Sequence, residues 1–175
     1  MKKMFVLTML VLVSFVARSQ DDAISRYFSK YAEDPRFTVV YISPKLFQMV
    51  SKISTSDPDW EKTKEVVKDL TALRVLVADS TDGMPLYKEA IAKIPVKEYE
   101  ELITVRDKGE NVRIMVKESG DVIHELLLLV GGSDQFVMLS FTGKIDLNKI
   151  STLAKSLNVE GADHLELLKD KKKNE

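Results

Sequence analysis

From about residue 101 to residue 141 the apolar pattern changes to a period of two, over four segments that read as strands. Alternation with a period of two is typical of a β-strand with one buried face. The breaks between the segments are short and each contains glycine, which is typical of β-hairpins. Because a hairpin joins antiparallel neighbours, the pattern predicts a four-strand antiparallel meander. The predicted strands are Leu102 to Arg106, Val112 to Lys117, Val122 to Val130 and Gln135 to Phe141.

The part of the chain before this meander predicts helices that alternate with two more strands. Apolar residues recur at helical spacing over residues 21–33. Ser43-Pro44 and Asp57-Pro58 each combine an N-cap residue with proline at the first helical position, which predicts two helix starts. The other predicted elements are strands Phe37 to Ile42 and Leu73 to Ala78, a helix from Pro85 to Ile94, and a last helix after Asp146.

Together these elements predict an α+β fold, with a mostly antiparallel sheet, the C-terminal four-strand meander, and helices packed mainly on one face. Leu126 to Val130 is apolar throughout, so we expect that strand to be central and covered on both faces. The helical residues expected to face the core are Leu46, Phe47, Val50, Trp60, Val66, Val67, Leu70, Ile150, Leu153, Ala154 and Leu157.

The N-terminus has the pattern of a secretory signal peptide. A positive start, Met1-Lys2-Lys3, precedes an apolar run that is shorter than the roughly 20 residues of a membrane span. Ala17-Arg18-Ser19 then places small residues at the −3 and −1 positions of a cleavage site. We therefore expect an exported, soluble protein, periplasmic or extracellular, with a signal peptide at 1–19, a single α+β domain at 20–168 and a flexible charged tail at 169–175.

The net charge and the cysteine content limit which classes of partner and cofactor the protein can bind. Loss of Lys2, Lys3 and Arg18 with the signal peptide removes three positive charges from the formal net charge of −1 and leaves −4, which argues against nucleic acid as a partner. The chain has no cysteine, so a thiol nucleophile, a zinc-thiolate site and a lipoprotein anchor are excluded. We expect no membrane span, no lipid anchor and no cofactor. The oligomeric state stays open.

The residue types that carry catalysis or metal binding are present but do not form a recognisable pattern. His124 and Glu125 are consecutive in a predicted strand, so their side chains are expected on opposite faces and unable to share a ligand. The Asp79 to Gly83 turn lacks the distal glutamate of a calcium loop, since position 90 is alanine. Ser133 lies outside any nucleophile elbow. We therefore expect no catalytic residue and no metal site.

The favoured hypothesis is a non-enzymatic module of the cell envelope that binds a protein or a small ligand. Its candidate contacts lie on the mixed face of the meander, at Arg113, Met115 and Lys117, and on the exposed side of the helix at 58–71. Two alternatives stay open. One is a periplasmic hydrolase with a carboxylate or serine site built from separate loops. The other is a structural subunit that adds a strand through an exposed sheet edge.

Several apolar blocks carry a resemblance to a known family. They are Ile24-Ser-Arg-Tyr-Phe, Pro44-Lys-Leu-Phe, Leu73-Arg-Val-Leu, and the block from Glu125-Leu-Leu-Leu-Leu to Leu139-Ser-Phe-Thr-Gly-Lys-Ile-Asp-Leu. With the N-terminal signal, they resemble a Bacteroidetes envelope family, the domain of unknown function four-two-five-two. The resemblance implies no activity and no catalytic residue. Many relatives resemble lipoproteins, whereas this chain lacks the anchoring cysteine. The family's genes often lie near those for extracytoplasmic-function sigma factors, which implies a link to envelope signalling.

Overall fold

The alternating segments form the last four strands of a six-stranded sheet in the computed structural model, which describes residues 23–54, 56, 58–147, 149–150, 153 and 162–167. The predicted meander is confirmed; its first two strands are longer than predicted at both ends, and its last two at their C-terminal ends. The strands are β1 (Thr38–Ile42), β2 (Leu70–Asp79), β3 (Glu100–Asp107), β4 (Glu110–Ser119), β5 (Val122–Gly131) and β6 (Gln135–Ile145).

The strand order is β1-β2-β6-β5-β4-β3, and every neighbouring pair is antiparallel. The meander runs from β3 to β6, and β6 then pairs with β2 from the first half of the chain. The strands β1 and β3 are therefore the two edges of the sheet. Strand β5 is interior, and Leu126 to Val130 are fully buried, as predicted.

Within the described residues, four helices precede the meander: α1 (Ala23–Tyr31), α2 (Pro44–Val50), α3 (Pro58–Val67) and α4 (Met84–Lys93). The Ser43 hydroxyl accepts a hydrogen bond from the Leu46 amide, so the predicted N-cap with proline at the first helical position is confirmed at α2. A 3₁₀ turn, Val96–Glu98, follows α4 and leads into β3. A second 3₁₀ turn covers Ala162–Glu166.

The sheet has a hydrophobic core on each face. One core contains Phe47 of α2 and Val67 of α3, together with Ile150 and Leu153. The other contains the aromatic residues of α1 and Ala90 of α4. The α+β class is confirmed, but helices cover both faces where we expected them mainly on one. The reason is that β2, β5 and β6 carry apolar side chains on both faces, and each face must be kept from water.

Burial differs from expectation at a few helical residues. Phe47 and Val67 are buried as predicted, whereas Leu46 is 45% exposed because α2 packs on the core through Phe47 and Val50. Leu70 is also buried, but it begins β2, since α3 ends at Val67 and not near residue 71 as we expected. Trp60 is only partly buried, and its indole N–H donates to the Ile53 carbonyl over 3.4 Å. The start of the last helix is supported by amides of Lys149 and Ile150, which donate to the Asp146 carbonyl.

Several predictions fall outside the described residues. These are the signal peptide at 1–19, the tail at 169–175, the N-cap residue Asp57, and the inward positions Ala154 and Leu157. Within the described part of the chain, no helix has the length and apolar character needed to cross a membrane.

Candidate functional site

A cavity of about 580 Å³ opens at one end of the sheet, on the face covered by α1 and α4. Its walls come from the start of α1, the end of α4, the 3₁₀ turn, and strands β4, β5 and β6. The charged and hydrogen-bonding side chains of its lining that could contact a ligand include Arg26, Lys93, Tyr99, Lys117, His124 and Glu125. Small-molecule sites in proteins are concavities of roughly 300–1,000 Å³ with a few polar groups, and this cavity falls in that range.

An irregularity in β5 brings His124 and Glu125 into this cavity together. Lys117 of β4 lies opposite Glu125, but the next residue of β4 lies opposite Ile123, so His124 is an extra residue in β5. The register with β6 also shifts between Ile123 and Glu125. A bulge interrupts the alternation of side chains and redirects them. Both residues line the cavity, so our expectation that strand alternation keeps them apart was wrong.

Glu125 is the buried polar anchor of the site. Its side chain is 8% exposed, and it is one of two buried polar residues, with Ser140, in the part of the chain described here. The Tyr99 hydroxyl donates to Glu125 Oε2 over 2.7 Å, and the Ser140 hydroxyl donates to Oε1 over 3.2 Å. These donors satisfy both carboxylate oxygens, as burial of such a group requires. Glu125 therefore ties β5, β6 and the turn before β3 together at the cavity.

Cationic side chains surround this anchor. Lys117 Nζ lies 2.6 Å from Glu98 Oε2, and 5.8 Å from the centre of the Tyr99 ring. Lys93, from the last turn of α4, makes no ion pair with any residue that the structure describes. Three cations and two carboxylates line the cavity, so its formal charge is +1 when His124 is neutral. A positive cavity favours an anionic group over a cationic one.

A neighbouring cavity of about 420 Å³ shares Ala23, Arg26 and Lys93 with the first, so the two form one continuous groove. In this second part Lys30 Nζ lies 2.5 Å from Glu89 Oε1, and the Tyr31 hydroxyl donates to Glu89 Oε2 over 2.7 Å. These hydrogen bonds, from Lys30 and then from Tyr31, lower the pKa of the Glu89 carboxyl. Glu89 is thus held ionised beside Lys30, and its charge also acts on Lys93. Arg26 and Lys93 are the cations that line both parts of the groove.

The predicted contact residues on β4 have different surroundings from one another. Lys117 lines the cavity. Arg113 is partly buried, with Nε 3.7 Å from Glu101 Oε2 and without a hydrogen-bond partner. Met115, between them, is only 1% exposed and packs in the core with Leu127 and Met138. Met115 is therefore a core residue and not part of the exposed surface, because α1 and α4 cover the middle of this face.

The acidic turn at Asp79 to Gly83 is explained by its backbone contacts. Asp82 Oδ1 accepts a hydrogen bond from the Met84 amide over 3.1 Å, at the start of α4. This confirms the interpretation that short polar side chains bond the backbone there. Across the described ranges, no three histidine, aspartate or glutamate side chains are grouped so that they could hold a metal ion.

A comparison with protein-family models matches residues 31–153 to a family described as Domain of unknown function (DUF4252). The chain belongs to the DUF4252 family. The match covers the sheet and α2 to α4, and most of the cavity wall lies within it. Neither the curated proteins nor the solved structures contain a match to the chain. Arg26, which lines the cavity from α1, lies before the matched region.

Proposed function

We propose that this DUF4252 chain is an exported, non-enzymatic binding module of the cell envelope, and that its cavity binds a small molecule with an anionic group. The observation that carries this proposal is the convergence of Arg26, Lys93, Lys117 and His124 on one cavity. The side chains come from α1, α4, β4 and β5, so the cavity depends on the complete fold.

The charges within the cavity support an anionic ligand. The carboxylate of Glu125 has both oxygens occupied by Tyr99 and Ser140, and Glu98 is paired with Lys117. Lys93 has no such partner among the described residues. An anionic group placed near Lys93 would gain a charge-assisted hydrogen bond without displacing an existing ion pair.

The state of Glu125 supports binding over catalysis. A general base must reach a proton of the substrate with an available oxygen. Here protein donors already engage both oxygens, and the carboxylate connects three elements of the wall. The N-terminal pattern of a positive start, an apolar run and small residues at the cleavage site supports export.

Benzoate and its neutral analogue benzamide test the proposal, because they differ in charge and share an apolar ring. We expect benzoate to produce saturable NMR shifts at the amides of Arg26, Lys93 and His124, whereas benzamide produces none. Lys93→Gln should weaken benzoate binding about fivefold, as expected for the loss of one partly exposed charge-assisted contact. Lys88→Gln is the matched control, because Lys88 is an exposed lysine of the same helix outside the cavity.

Two outcomes would contradict this proposal. Equal shifts from benzoate and benzamide would show that charge plays no part in recognition. Equal weakening by Lys93→Gln and Lys88→Gln would place the effect in the general charge of α4 and not in the cavity.

A second candidate function, capture of an acidic protein partner, is supported by one observation at Arg113. Its Nε is buried and has no hydrogen-bond acceptor, while Glu101 is 3.7 Å away. We propose that a carboxylate of the partner binds the Arg113 guanidinium, and that Lys117, about 13 Å further along β4, makes a separate contact with the same partner. Arg113→Ala and Lys117→Ala should each reduce the yield of an in-cell crosslinked envelope partner severalfold without unfolding the protein, with Lys97→Ala as an exposed control. Unchanged yields would remove this surface from consideration.

A further inference from the structure

Exposed apolar side chains are concentrated in one short segment. The described residues include six large hydrophobic side chains that are exposed, and five of them lie between positions 40 and 53. These five are Val40, Tyr41, Leu46, Met49 and Ile53. Tyr41 lies on the α1 face of β1, where its ring is 6.1 Å from that of Phe28. Exposed apolar side chains gathered in one region of a protein commonly mark an interaction surface. We call this segment, with strand β1 and helix α2, the β1–α2 patch.

The patch includes an uncharged sheet edge. Among the residues that the structure describes, β1 pairs only with β2, so alternate backbone N–H and C=O groups of β1 face away from β2. No residue from Thr38 to Ile42 is charged. The opposite edge, β3, carries Glu100, Glu101, Arg106 and Asp107, the type of charged residue that protects an edge strand against pairing. The two edges of this sheet thus differ in the feature that permits a further strand.

We infer that β1 pairs antiparallel with β1 of a second copy of this chain and extends the sheet to twelve strands. Two identical neutral edges can meet about a two-fold axis without bringing like charges together, and the result continues the all-antiparallel pattern of the sheet. An acidic or basic partner would find no charged complement on Thr38 to Ile42. A second copy is therefore the occupant that this edge fits.

The two-fold axis also explains the exposed side of α2. Val40 lies in register with Val75, whose side chain is in the same core as Phe47 of α2, so α2 lies on the Val40 face. An axis perpendicular to the sheet keeps equivalent faces on the same side. The two copies of α2 then flank the seam between the β1 strands, and their exposed Leu46 and Met49 meet across it. A five-residue edge is about 17 Å long, and these side chains add the apolar contact that a stable pair needs.

The sheet provides a closely matched control for a mutational test. Val40 is 38% exposed on edge strand β1, and Val105 is 37% exposed on edge strand β3. Val105 lies in register with Val112, which belongs to the same core as Val75, so both valines project from the same face. Val40→Lys and Val105→Lys thus introduce the same charge at the same depth on opposite edges.

Sedimentation equilibrium of the mature chain measures the result. We expect the wild type and Val105→Lys to have the mass of two chains at high concentration, and Val40→Lys to have the mass of one at every concentration. Circular dichroism should show the same folded spectrum for all three. A monomeric wild type, a dimeric Val40→Lys, or a dimer lost only in Val105→Lys would each overturn the inference.

The absence of cysteine from the chain allows a second, independent measurement. Opposed residues of an antiparallel pair have Cα atoms about 4.5–5.5 Å apart, which lies within the range that a disulfide spans. Single cysteines at Val39, Val40 and Tyr41 should give one variant that oxidises rapidly to a covalent dimer, at the residue nearest the two-fold axis. Val105→Cys should not. Failure of all three, or equal oxidation of the control, would overturn the pairing of β1 with itself.

Discussion

Replacing Gly83 by alanine is expected to lower the free energy of unfolding by about 3 kcal/mol. Gly83 stands at the start of α4, and a Cβ atom there would overlap the backbone carbonyl of Gln135 in β6. The Gly83 amide also donates to the Gly132 carbonyl over 2.9 Å, so this turn is held against the β5–β6 hairpin. Because both sides of the contact are backbone, the clash cannot be relieved by a rotamer change. Either α4 must move away from the sheet or β6 must bend.

Urea denaturation followed by circular dichroism measures this loss, and Gly132→Ala is the matched control. A Cβ at Gly132 would meet its nearest atom, Asp134 Oδ1, at 3.5 Å, which is an ordinary contact. We expect Gly132→Ala to change the free energy of unfolding by less than about 0.5 kcal/mol. Equal midpoints for Gly83→Ala and the wild type would show that α4 is not held tightly against β6.

Replacing Glu125 by leucine is expected to cost about 3 kcal/mol, the second large effect. The substitution removes the acceptor for Tyr99 and Ser140 at once, and Ser140 is fully buried, so its hydroxyl cannot turn to water. Glu125→Gln keeps one acceptor oxygen and should cost only about 1 kcal/mol. The difference between the two variants measures hydrogen bonding, since the side chains are of similar size.

The control for Glu125 is Glu118→Leu, on an exposed residue near the end of β4. It should change the free energy of unfolding by less than about 0.5 kcal/mol. If Glu125→Leu is as stable as the wild type, the carboxylate is not needed for the wall of the cavity. A role of Glu125 in ligand binding would then be tested by measuring benzoate binding to Glu125→Gln.

The strands of the meander could be predicted because their signal is local. Alternation in β4, apolar runs in the other strands and short glycine-containing turns between them specify β3 to β6 and their antiparallel pairing. The pairing of β2 with β6 could not be predicted in this way, because Gln135 lies 56 positions after its partner Asp79 and no local pattern marks them as neighbours. The same limit applies to the helices. The apolar run Leu126 to Val130 predicts that both faces of β5 are buried, but no sequence pattern indicates which helix covers which face.

The candidate site was largely missed, and the reason is the bulge. Strict alternation assigned His124 and Glu125 to opposite faces, whereas one extra residue in β5 brings both to the cavity. The usable signal was a charged residue directly before the fully apolar run Leu126 to Val130, since a charge beside a buried strand must find partners. Its partner Tyr99 lies 26 residues away, and no local sequence pattern indicates that the two residues are in contact.

Because β6 lies between β2 and β5, the sheet cannot be completed before β6 has formed. Hairpins β3–β4, β4–β5 and β5–β6 join strands that are adjacent in the chain, whereas β2 meets β6 only across the intervening α4 and the rest of the meander. Contacts that close long loops form later than local ones. A nascent chain that ends before Gln135 can offer β2 no neighbour other than β1, and neither of its two cores can close. Strands β1 and β2 therefore join the rest of the sheet only after β6, the last strand to be synthesised, is present.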